Sequence, residues 1–84
     1  MRQSGVVRDY RDEFGIGYVI QSGVLGFRRV WLEPGEPAEL GDWRALMSEA
    51  LRDAAQDWDD CGSGGRLSAT LRAVATKEAK KEVS

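Results

Sequence analysis

The chain contains no histidine and one cysteine, Cys61. Without histidine it lacks the commonest general base, the usual partner of a Ser or Cys nucleophile and the commonest transition-metal ligand. A lone cysteine excludes the disulfide framework on which secreted domains of this size normally rely. No long apolar run interrupts the 84 residues, and Met1 to Tyr10 carries Arg2, Arg8 and Asp9, so neither a signal peptide nor a membrane span is expected there. Cytoplasmic residence is the resulting expectation. The two prolines, Pro34 and Pro37, fall in one stretch and leave the rest of the chain free for regular structure.

At this length the residues suffice for one domain, residues 1–84, which buries only about 60–65% of the surface of the unfolded chain. Large apolar groups must therefore be used efficiently, and three Trp, two Tyr and two Phe are available. The formal net charge is −2, but its distribution is uneven. Met1 to Leu32 holds five Arg against three acids, Glu33 to Gly62 holds Arg44 and Arg52 against nine acids, and the remainder holds five bases against two acids. The acidic middle can present a negative field to a basic partner.

The first half reads as β structure, with strands over residues 5–10, 15–21 and 24–33 that are rich in β-branched and aromatic side chains. Ser22-Gly23 has the composition of a two-residue hairpin loop, which would pair Tyr18 with Phe27 and Phe14 with Trp31. Alternation then collects Phe14, Ile16, Tyr18, Ile20, Leu25, Phe27 and Trp31 on a core face. The other face, with Gly17, Val19, Gly26, Arg28 and Val30, is flatter and expected to be partly exposed.

Glu33 to Gly41 reads as a loop. Beyond it Trp43, Leu46, Met47, Ala50, Leu51, Ala54 and Trp58 recur at helical spacing, predicting a helix over residues 42–59 with Asp42 as N-cap. A glycine-rich break follows. Ser68 is then a candidate cap for a second helix over residues 67–81, ending in a charged tail, residues 80–84, that should fray. The predicted fold is α+β: a three-stranded antiparallel meander packed against one long amphipathic helix, followed by a shorter helix.

Several motifs come close to known chemistry and depart from it. Asp57, Asp59 and Gly62 occupy the first, third and sixth positions of a calcium loop, but Cys61 and Ser68 stand where oxygen ligands and a bidentate Glu are needed. Gly62 to Gly65 lacks the Lys-Ser/Thr ending of a nucleotide loop and follows no strand. The carboxylates Asp57, Asp59 and Asp60 have no apolar pocket to set one apart as a catalytic acid. Cys61, between Asp60 and a glycine, reads as a helix-end residue. No metal, no cofactor and no catalytic residue is expected, and the chain is read as not an enzyme.

The reading that remains is a protein–protein interaction module. Glu49, Asp53, Asp57, Asp59 and Asp60 on the outer face of the first helix would dock on a basic, nucleic-acid-binding surface of a partner, as an inhibitor or adaptor does. In size and charge alone the chain is similar to small acidic inhibitors of phage and other mobile elements, such as anti-CRISPR proteins; no motif identifies such a family. Two alternatives stand beside this one. The first is a structural protein that self-associates, as a homodimer for example, through the sheet face bearing Gly17, Gly26 and Arg28. The second is single-strand nucleic-acid binding through Arg8, Arg11, Arg28 and Arg29, for which the acidic balance provides little support.

Overall fold

The computed structural model describes residues 5–62 and 65–83. Three strands, β1 (Gly5–Asp9), β2 (Gly17–Gly23) and β3 (Gly26–Leu32), form an antiparallel meander, and a two-residue strand β4 (Glu39–Leu40) extends it in the order β1-β2-β3-β4. Two helices follow, α1 (Met47–Asp60) and α2 (Leu67–Glu82). The α+β architecture expected from periodicity is present, with β4 as an addition.

The hairpin turns two residues later than expected. Gly23 pairs with Gly26 and Tyr18 with Trp31, leaving Val24 and Leu25 at the tip. The positive φ needed to close this turn falls on Gly26, at +120°, and on no non-glycine residue. Moving the turn by two residues preserves parity, so Tyr18, Ile20, Phe27, Arg29 and Trp31 still share the face turned to the helices. The ends of the expected core face do not survive the shift: Phe14 is 71% exposed in the β1–β2 loop and Leu25 is 69% exposed at the tip.

α1 begins at Met47, five residues after the expected Asp42 cap. The reason lies in backbone hydrogen bonding. Arg44 and Phe27 exchange both N–H···O bonds, at 2.6 and 2.7 Å, and the Gly41 N–H donates to the Arg29 carbonyl at 2.9 Å. The segment from Glu39 to Arg44 thus runs along the β3 edge, and a donor engaged there cannot join a helix. The glycines of the hairpin admit this crossing. A Cβ at Gly26 would lie 2.0 Å from the Arg44 carbonyl oxygen, and one at Gly23 would lie 2.7 Å from the Trp43 ring.

Tyr18 and Ile20 from the sheet, Ala50, Leu51, Ala54 and Ala55 from α1, and Leu71 and Ala75 from α2 form the buried core. Burying one large apolar side chain of this kind stabilises the fold by about 1.5–3 kcal/mol. The two helices lie antiparallel, so the end of α2 meets the start of α1. There the Glu82 carboxylate accepts hydrogen bonds from the Ser48 N–H at 3.0 Å and the Ser48 hydroxyl at 2.6 Å. This carboxylate satisfies free donors at a helix N-terminus, where negative charge is favoured. α2 continues to Glu82, one residue beyond the expected end, and its last turn is tied to the start of α1 through these bonds. Ser84 lies outside the described residues.

Ser68 is also reassigned. α2 starts at Leu67 with Arg66 at the N-cap position and no side-chain cap, so Ser68 falls inside the first turn, where it helps to lower the proton affinity of Asp59. On the opposite sheet face, Val19 and Val30 are 2% and 6% exposed, so this face is more covered than alternation alone suggests. They form the floor of a groove of about 260 Å³ flanked by Val6, Leu32 and Leu40.

Candidate functional site

The acids singled out on α1 are held by the chain itself. Glu49 accepts from the Leu46 N–H at 3.1 Å, supporting the start of the helix. Asp53 receives a forked pair of bonds from Arg44, at 2.6 and 3.1 Å. Asp57 accepts the Tyr18 hydroxyl and lies 3.7 Å from the Arg29 guanidinium. Asp59 pairs with Arg72 at 2.6 Å, and Asp60 accepts from the Gln56 amide at 2.8 Å. The structure thus brings Asp53, Asp57 and Asp60 to one polar cavity of about 200 Å³, with Arg29 and Arg44 among its walls.

Proton affinities follow from these partners. Arg72 and then Ser68 hold the Asp59 carboxyl below its ordinary 3.8. Burial, followed by the hydrogen bond to Asp57, raises the Tyr18 hydroxyl well above its ordinary 10, so it remains a donor at neutral pH. Negative charges near the C-terminal end of α1 oppose the helix dipole. Arg72 reaches across from α2 to one of them, Asp59.

The arginines considered for nucleic-acid contact are similarly engaged. Arg8 points to the helix side and meets Glu78 of α2 at 2.5 Å, while Arg11 makes a forked pair with Asp9 and holds that carboxyl at about 2. Arg28 donates to Gln21 at 2.7 Å and lies 4.4 Å above the Trp43 ring. Arg29 faces Asp57. Of the secondary surface, Gly17 lies against the backbone of Tyr10 and Arg11, and Gly26 lies against that of Arg44, so both glycines serve internal contacts.

One acidic region differs. Glu33, Glu36 and Glu39 lie in and beside the loop between β3 and β4, all exposed, in a stretch from Glu33 to Trp43 that contains no Lys or Arg. Among the described residues none of the three forms an ion pair; Glu33 accepts a long bond, 3.4 Å, from the Trp31 indole N–H. They surround a cavity of about 370 Å³ against Trp31 and Pro37. A second cavity, about 140 Å³, shares Trp31 and Glu39 and continues to Tyr18, Asp57, Trp58 and Cys61. Its aromatic wall is tightly assembled: Tyr18 and Trp31 have ring centroids 4.9 Å apart in an edge-on pair, and Trp31 and Trp58 are 5.8 Å apart.

The loop acids were counted in the acidic middle of the sequence but not distinguished from those of α1. The available signal was four acids without a base across residues 33–43, next to two prolines that keep the loop out of a helix. Among the described residues no group of three or more His, Cys, Asp or Glu is placed to hold a metal ion, and no helix is long and apolar enough to cross a membrane. No family model matches the chain, and no curated protein or solved structure is significantly similar to it.

Proposed function

We propose that the protein is a non-enzymatic interaction module, an inhibitor or adaptor, that docks an acidic, tryptophan-lined surface on a basic surface of a protein partner. The observation that carries this reading is the contrast in charge compensation. Asp53, Asp57 and Asp59 are each faced by an arginine of the same chain, whereas Glu33, Glu36 and Glu39 are exposed and face none among the described residues. Uncompensated charge speeds and orients encounter with an oppositely charged partner. Trp31 beside it supplies the kind of apolar anchor on which binding energy concentrates.

Two charge-matched variants test the proposal. Glu33→Gln/Glu36→Gln/Glu39→Gln and Asp53→Asn/Asp57→Asn/Asp59→Asn raise the net charge equally, by three. Affinity capture from source-cell extract should recover a basic protein with the wild type and with the folded helix variant, and lose it with the loop variant. Equal recovery by the loop variant contradicts the reading.

A further inference from the structure

We infer that the cavity between Trp31, Trp58 and Glu39 receives a single arginine side chain of the basic partner, an inference that rests on the binding reading above. Its geometry is that of a slot with an aromatic wall and an acidic rim. Tyr18 is buried, with its hydroxyl turned to Asp57, and closes the bottom. Trp31 and Trp58 are half-buried, their rings tilted by 38°, and they form the wall. Glu39 stands exposed at the mouth. Asp57 is already engaged by Tyr18 and Arg29, so Glu39 is the carboxylate that supplies charge to an incoming group.

The shape and chemistry favour guanidinium over ammonium. A guanidinium is planar, weakly hydrated and able to stack on an indole while its N–H fork meets a carboxylate. An ammonium is a compact, strongly hydrated point charge and uses a flat wall less well. The molecule itself contains the same pairing. Arg28 lies over Trp43 at 4.4 Å while donating to Gln21. Among the described residues no lysine or arginine lies over Trp31, and the acids at its edge include Glu33 and Glu39. Glu36 continues the acidic lining outward, where further basic residues of the partner would pass.

The test titrates the full chain with Nα-acetyl-arginine amide, and separately with the citrulline and lysine amides, while following the three indole N–H resonances by NMR. Citrulline retains the shape of arginine and lacks its charge. The arginine amide should shift Trp31 and Trp58, saturating in the millimolar range typical of so small a ligand. Citrulline should bind at least about tenfold more weakly, and Glu39→Gln should weaken arginine binding about fivefold, the scale of one exposed charge pair. Equal binding of citrulline, a shift confined to Trp43, or no saturable shift below about 100 mM overturns the inference. If the loop variant loses the partner while the arginine amide fails to bind, only this inference falls. If the arginine amide binds and partner capture ignores the loop, the docking reading falls instead.

Discussion

The acids of α1 and those of the β3–β4 loop carry the same charge and lie within thirty residues of each other, yet they differ in their partners. On α1 each of Asp53, Asp57 and Asp59 meets a guanidinium from another part of the chain: Arg44 from the segment before the helix, Arg29 from β3 and Arg72 from α2. These contacts join α1 to its surroundings. In the loop, Glu33, Glu36 and Glu39 join nothing of opposite charge among the described residues. Charge density in a sequence therefore says little about where a partner binds until internal compensation has been subtracted.

The largest effect should come from breaking the segment that separates the two regions. Gly26→Ala would place a Cβ 2.0 Å from the Arg44 carbonyl oxygen at a φ of +120°, and backbone strain alone should cost about 1–3 kcal/mol. A lowered urea midpoint checks this. Asp57→Ala removes the acceptor of the Tyr18 hydroxyl and should cost roughly 1–3 kcal/mol by the same measurement, since a buried donor is left unmet. Glu82→Ala removes the cap on Ser48 and should cost about 1 kcal/mol. Faster amide exchange confined to the first turn of α1 would localise that loss.

Acid provides a smaller, graded probe. Arg8 holds the Glu78 carboxyl below its ordinary 4.5, and Arg72 holds Asp59 below its ordinary 3.8. Both groups bind a proton less readily folded than unfolded. Their stabilisation is present above those ordinary values and lost as pH falls through the lowered folded ones. The urea midpoint should decline as pH drops from 7 into that range, and Glu78→Gln should shrink the decline.

Much of this architecture was legible in residue patterns. Strand alternation placed Tyr18, Ile20, Phe27 and Trp31 on the helix side correctly even though the turn was misplaced, because a shift of two residues preserves parity. Helical spacing located Ala50, Leu51 and Ala54 on the buried stripe of α1. It overran at the start because Trp43 fits the helical period equally well, and only the β3 edge decides that residues 39–44 remain extended. For the acids, sequence supplied number and sign. The opposition of Asp57, Asp59 and Asp60 to the helix dipole points to a compensating base on the second helix, and Arg72 meets Asp59, whereas the contacts of Asp53 with Arg44 and Asp57 with Arg29 arise from packing the preceding segment and β3 against α1 and leave no local signature.

The most direct measurement compares urea unfolding midpoints of the two charge-matched variants at neutral pH. The helix variant, Asp53→Asn/Asp57→Asn/Asp59→Asn, should unfold at clearly lower urea than the wild type. The loop variant, Glu33→Gln/Glu36→Gln/Glu39→Gln, should remain within about 0.5 kcal/mol of it, as exposed substitutions away from internal contacts do. A loop variant destabilised as much as the helix variant, or a helix variant as stable as the wild type, would contradict the division between acids paired within the fold and acids left unpaired by it.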